Sequence, residues 1–225
     1  MRRDETFYFA NVVFLVGHFK YLYATLIVTY QVEDTLFRVP RQPFIDGSYV
    51  FRQRLERPVP PRAQEDGSSD ENPLRLKSIK HDEFRQLLKV LFQNYGRPKN
   101  LPESFGEWKA VLKLSHRWGF KSARKQAIES LGAMKVDPVD KLSLSEKYDV
   151  DEWLLPALEK LANRREPIGV KDAEKLGVTL ALKVAALREG PVPRTPSVPL
   201  RIGYKEVSVY PKSPSTYRSR YSIAY

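Results

Sequence analysis

His18, His81 and His116 are the only imidazoles in the chain, and imidazole is the side chain best suited to proton transfer and metal binding near neutral pH. No two of them stand four residues apart and none belongs to an HExxH string, so the spacing brings no pair together as zinc ligands. His116 lies beside Arg117 and Trp118 and reads as a polar residue near a helix end, because a general base needs a partner within reach. The absence of cysteine removes disulfides, thiolate nucleophiles and sulfur-ligated zinc together. Asp82 with Glu83, Asp151 with Glu152, and Glu65 with Asp66 are sequence neighbours. On a helix such neighbours face different ways, so they read as caps and solvated surface rather than acid–base dyads. Gly47, Gly67, Gly96, Gly106 and Gly119 form neither GxGxxG nor GxxxxGK, and no GxSxG elbow is present. The expectation is a chain that is not an enzyme: no catalytic, cofactor-binding or metal-ligating residue, no cofactor and no small-molecule substrate.

Without a reactive constellation, charge is the next source of function. The net charge is +11, and between residues 191 and 225 Arg194, Arg201, Lys205, Lys212, Arg218 and Arg220 oppose only Glu206. Six cations against one anion place +5 of the total in that stretch, where Pro191, Pro193, Pro196 and Pro199 exclude helix. Tyr204, Tyr210, Tyr217 and Tyr221 interleave with the cations, a pattern that can stack on bases and neutralise phosphates. A disordered basic tail at 191–225 that binds nucleic acid, in a nuclear or chromatin-associated protein, is the alternative functional class. The tryptophans Trp108, Trp118 and Trp153 sit at apolar helical spacings and read as core volume instead. Residues 7–30 are apolar enough to suggest a membrane span, but Asn11, His18 and Lys20 interrupt them. A soluble intracellular protein of cytoplasm or nucleus is expected, with no membrane insertion.

Hydrophobic content of 42% with 12% aromatic residues suffices for a folded core. The β-branched and aromatic run at 11–16 and the run at 35–39 predict strands. Residues 44–55 predict one helix with Asp46 or Ser48 as cap. Residues 56–72 lack any period and are rich in Pro, Ser and acids, which predicts a disordered loop. Leu74, Leu76 and Ile79 read as a short strand. Phe84, Leu87, Leu88, Leu91 and Phe92 give a strong helical stripe beginning near His81. Two helices follow between 103 and 134, turning at Gly119. Another stretch at 138–163 breaks near Asp149, and a last helix is expected over 171–189, with Ala173, Leu176, Leu180, Val184 and Leu187 in one stripe.

Several strings point to a family. EDTLFRVPRQPF at 33–44, EWKAVLKLSHRWGFKSARKQAIESL at 107–131, the YDVDEWLLPA portion of 137–167, and DAEKLGVTLALKVAALRE at 172–189 resemble the BTB/POZ-domain proteins of basidiomycete fungi. The resemblance implies an α+β, BTB/POZ-like fold: a small N-terminal β-sheet with a helical cluster and a C-terminal helical extension. It divides the chain into a BTB/POZ-like domain at 1–135, an extension at 136–190 and the tail. It also implies a protein partner, most simply a second copy in a homodimer, with docking to a cullin-type ubiquitin ligase as a further role. By analogy with the family, the N-terminal strand and the helix at 44–55 form the self-association surface, with Phe44, Tyr49, Phe51 and Leu55 as its residues.

One stretch departs from the family's pattern. Residues 16–31, VGHFKYLYATLIVTYQ, stand between Leu15 and Val32, and removing them rejoins NVVFL to VEDTLFRVPR. The stretch begins with Val, whose codons start GT, and ends with Gln, which CAG encodes, so it reads as a translated short intron. Genomic DNA without those boundary bases would contradict that reading. Were the stretch true protein, its strand-forming end would displace 11–16 as the hairpin partner.

Overall fold

The β-branched and aromatic residues flanking Glu33 and Asp34 pair as a tight hairpin, β2 (Ile27–Val32) against β3 (Thr35–Pro40), with Val28 opposite Val39 and Tyr30 opposite Phe37. The computed structural model describes residues 1–9, 27–58, 64–95 and 100–189, together with the backbone of three short strands near the C terminus. These fall into two units, Met1–Met134 and Lys135–Tyr225. The architecture is mixed α+β.

In the first unit β1 (Arg2–Tyr8) runs parallel to β3, and β4 (Leu74–Arg75) lies parallel to β2, giving the order β1-β3-β2-β4. The strand expected at 11–16 lies outside the described residues. Its place beside β3 is held by Ile27–Val32, so the end of the supposed insertion supplies a central strand. Val28, Thr29, Tyr30 and Val32 are all buried there. The strand Arg2–Tyr8 was not expected, because RRDETFY has no apolar alternation. Asp4 explains it. Its carboxylate accepts the N–H groups of Thr6 and Phe7 at 3.0 and 2.8 Å, and receives Arg85 Nε and Nη2 at 2.9 and 2.7 Å.

The expected loop at 56–72 is, from residue 64 onward, a bonded turn. Gly67 donates to the Asn72 carbonyl and accepts from Thr29 N–H, both at 2.8 Å. Its φ of +83° is one that glycine adopts without penalty, and a Cβ there would meet Val28 Cγ2 at 2.5 Å. Asp70 accepts from Tyr8 Oη at 2.6 Å and Arg3 at 3.0 Å, and Arg41 pairs with Glu65 at 3.1 Å. Composition suggested mobility, but specific side-chain bonds to β1 and to the start of the first helix hold this turn.

The helix predicted at 44–55 is two helices, α1 (Gln42–Gly47) and α2 (Tyr49–Leu55), separated by extended Ser48. Next come α3 (His81–Leu91), α4 (Phe105–Trp118) and α5 (Lys121–Ala133), with Gly119 at φ +71° making the turn between the last two. The apolar stripe of α3 meets the sheet through Phe84, whose ring lies 5.1 Å from Phe37 and 5.4 Å from Tyr30. Phe44, Phe51, Phe92, Trp118 and Phe120 complete an aromatic core around them. Tyr30 carries a discordant group within this core: its hydroxyl is buried without a hydrogen-bond partner among the described residues. Burial pushes its pKa well above the usual tyrosine range. An unmet hydroxyl of this kind costs about 1–3 kcal/mol.

Helix α4 opens on a capping box. Glu107 accepts the N–H groups of Glu103 and Ser104, both at 2.9 Å, and Ser104 Oγ accepts Glu107 N–H at 3.3 Å. These bonds hold the Glu107 carboxyl down at about 2. A carboxylate with a depressed pKa stabilises the fold above its unfolded pKa, near 4.3, and that contribution disappears as pH falls toward 2. Glu107→Gln should therefore lower stability by about 1 kcal/mol at neutral pH, the range for a helix cap. The whole shift does not convert to stability, because solvent screens a partly exposed carboxylate. Urea midpoints of variant and parent should converge below about pH 4; a constant gap from pH 7 to pH 3 would contradict this.

The second unit is built from α6 (Pro138–Tyr148), α7 (Asp151–Ala162), α8 (Val170–Leu176) and α9 (Val178–Glu189). Asp149, at φ +56°, makes the break expected near it. The single helix expected over 171–189 is instead divided at Gly177, φ +78°. The stripe survives the break, because Leu176, Leu180 and Val184 stay buried with Leu142, Leu158 and Leu161. Arg188 donates to the carbonyls of Leu161, Arg164, Arg165 and Glu166, so a cation closes the C-terminal end of α7. Arg164 pairs with Asp172 and draws that carboxyl below its usual range. Within the expected tail, β5 (Leu200–Ile202), β6 (Lys205–Ser208) and β7 (Ser222–Ile223) pair antiparallel in sequence order. The rest of 191–225, including the four tyrosines, lies outside the described residues.

Candidate interaction surface

Ser48 fixes how α2 is presented. Its backbone is extended, its Oγ accepts Phe51 N–H at 3.2 Å, and the same hydroxyl donates to the Trp118 carbonyl. Starting from that anchor, Phe51 and Leu55, four residues apart, point inward, 2% and 5% exposed. Phe44 on α1 is wholly buried. Three of the four expected interface residues, Phe44, Phe51 and Leu55, are therefore core and offer nothing to a partner. The physical reason is the aromatic cluster, which needs Phe44 and Phe51 as its centre.

Tyr49 is the exception. It is 66% exposed and stands beside Val50, 47% exposed. Gln53, one turn on, donates its amide to the Tyr49 hydroxyl, and Arg52 and Arg54 are exposed around the pair. Arg52 is steadied by donating Nε to the Ile45 carbonyl at 3.0 Å. The outer face of α2 is thus a small apolar centre with a polar and cationic rim, the pattern of a protein contact. Val50 reads from the sequence as an apolar position of the same helix as Phe44, Phe51 and Leu55, and was not among the expected interface residues. Helical spacing separates them, since Val50 lies about 100° from Phe51 and so leaves the inward stripe. β1 forms one edge of the sheet in this unit, and edge strands are a common place of pairing with other chains.

His81 and Glu33 form an imidazole–carboxylate pair at the hairpin turn. His81 Nδ1 lies 2.7 Å from Glu33 Oε2, and His81 N–H donates to the same oxygen at 3.0 Å. Both bonds fasten the hairpin turn, where Glu33 has φ +54°, to the first residue of α3. They also hold the Glu33 carboxyl below its usual range. The arrangement positions a helix, and an anion at a helix N terminus is favoured there. His18 lies outside the described residues. Trp108, Trp118 and Trp153 are buried. Among the described residues no group of three His, Cys, Asp or Glu side chains could hold a metal ion, and no helix is long and apolar enough to cross a membrane. No protein-family model matches this chain, and no curated protein matches it.

Proposed function

We propose that the chain is a non-catalytic protein-interaction module of the BTB/POZ type that pairs with a second copy of itself through the outer face of α2. The adjacent exposure of Tyr49 and Val50 on a short, doubly anchored helix carries this reading. A fixed tyrosine and a β-branched residue lose little conformational entropy on binding, which is why such pairs suit contacts. The order of hairpin, helix pair, short strand and further helices in the first unit supports the BTB-like reading, together with the quoted sequence strings. The helical second unit then extends the module, and docking to a cullin-type ligase is a role open to such a scaffold. A cysteine-free composition suits an intracellular setting.

The absence of native cysteine makes a cross-linking test unambiguous. A chain carrying only Gln53→Cys, on the rim of the face, is expected to be joined by a short bis-maleimide into a species of twice 26.0 kDa. A control, Lys125→Cys on α5, whose side chain is 80% exposed, should stay monomeric. Equal cross-linking of both variants, or none with Gln53→Cys, would remove α2 as the contact. Nucleic-acid binding that falls steeply with salt and vanishes on deleting residues 191–225 would favour the basic tail as the working element instead.

A further inference from the structure

We propose that Ser68 is a phosphorylation site for an acid-directed protein kinase, and that its phosphate draws Arg41 away from the C-terminal end of α2. Kinases of this class hold substrate carboxylates in a cationic groove, and an acid three residues beyond the serine gives that groove its grip. Three serines in the chain have such an acid: Ser68 before Glu71, Ser104 before Glu107 and Ser143 before Glu146. Two of these hydroxyls are engaged. Ser104 Oγ is shared with Glu107 in the capping box of α4, and Ser143 Oγ donates to the Lys175 carbonyl at 2.9 Å. Ser68 is exposed, and its hydroxyl makes no hydrogen bond to a described residue. Glu65 and Asp66 precede it and Asp70 follows, so carboxylates flank it on both sides.

The turn can also open to a kinase. Residues 64–72 carry no large apolar side chain, so opening them costs hydrogen bonds and ion pairs, and no apolar side chain of their own leaves the core. Segments held in that way occupy the low-stability end of a fold. In the reaction the Ser68 oxygen attacks the γ-phosphorus of ATP. The Oγ–P bond forms as the bond to the ADP oxygen breaks, and the hydroxyl proton passes to the kinase's own base.

Ser68 shares a small cleft with Glu65, Asp66, Arg41 and Leu55. Arg41 is the cation lining it. Its guanidinium pairs with Glu65 at 3.1 Å and donates to the carbonyl of Leu55, the last residue of α2. Phosphoserine brings a charge of about −1.5 to −2. Glu65 and Asp66 repel that charge, and a guanidinium that meets two phosphate oxygens at once relieves the repulsion. Arg41 then leaves Glu65 and Leu55, and the end of α2 loses the donor that closes it. The consequence for pairing rests on the reading of α2 proposed above; the site and the transfer of Arg41 do not.

The test uses the full chain, ATP and casein kinase II, an acid-directed kinase. A single phosphate is expected, placed on Ser68 by fragment masses, with none on Ser104 or Ser143. Glu71→Gln should slow the reaction about tenfold, the worth of one charge-assisted hydrogen bond, and Ser68→Ala should abolish it. In the phosphorylated chain, phosphorus NMR should show the phosphate losing its second proton at lower pH than in the same chain unfolded by urea, because a paired guanidinium favours the dianion. Amide hydrogen exchange at residues 52–56 should quicken. A folded chain that takes no phosphate at Ser68, or takes it equally at Ser104, overturns the site. A phosphate that titrates at or above its unfolded value, or unchanged exchange at 52–56, overturns the transfer of Arg41. A monomeric parent would end the reading of α2 and leave both results standing.

Discussion

Phe44→Ala is expected to destabilise the first unit by about 3–5 kcal/mol, the range for removing a buried phenyl ring. Phe44 is wholly buried, and five rings surround it, those of Tyr30, Phe51, Phe84, Phe92 and Phe120, at centroid distances from 4.8 to 6.3 Å. Those neighbours come from the sheet, α2, α3, the end of α3 and the start of α5, so no single movement can refill the void. Domains are commonly stable by only about 5–15 kcal/mol, so the variant should unfold at a much lower urea concentration. Tyr49→Ala, five residues along, removes a comparable ring from an exposed position and should change stability by about 0.5 kcal/mol or less. The pair of denaturation curves separates core from surface on adjoining helices. Similar midpoints for the two variants would contradict the burial described for Phe44.

Asp4→Ala should rank next, at about 3 kcal/mol. The Asp4 side chain is fully buried and is shared between Arg85 and two backbone N–H groups of its own strand. Truncation removes the acceptor of the Thr6 and Phe7 N–H groups and the buried partner of Arg85, and breaking one partner of a buried pair is far more harmful than the pair is beneficial. Arg85 remains 29% exposed and also pairs with Asp82, so it can turn toward water. That places the effect at the lower end of the range. β1 should loosen first, and its amide exchange should accelerate before α3 changes. High salt should leave the parent nearly unaffected, because ions screen buried pairs weakly. A variant with unaltered exchange in residues 2–8 would show that Asp4 does not hold the strand.

These two residues also mark where the fold could be read in advance. Phe84, Leu87 and Leu88 repeat with helical spacing, and Gly119 and Asp149 break their helices by local conformational preference, so each was legible in a short window. Phe44 is legible as apolar, but its burial in the core is not, because the aromatic cluster around it joins the sheet to helices far apart in sequence. Phe44, Tyr49, Phe51 and Leu55 were grouped as one surface by analogy with the family, and an apolar helix face does not by itself show whether it meets a core or a partner. Arg2–Tyr8 was illegible for a different reason. Its strand depends on Asp4 meeting Arg85, 81 residues away, and no local pattern encodes such a contact. The turn at 64–72 likewise looked mobile by composition, while Gly67 and Asp70 are fixed by bonds to β2 and β1. The apolar stripe continues through Gly177, so periodicity gives no sign of the break there. Val50, half of the candidate contact, became visible only once the inward face of α2 was set by Phe51 and Leu55.

Self-association through α2 is tested most directly by the mass of the full chain in solution. Sedimentation equilibrium should give twice 26.0 kDa for the parent, and the monomer mass for Tyr49→Glu with Val50→Glu, which charges the exposed pair without entering the core. A parent that stays monomeric at high concentration, or a double variant that still dimerises as the parent does, would contradict the account.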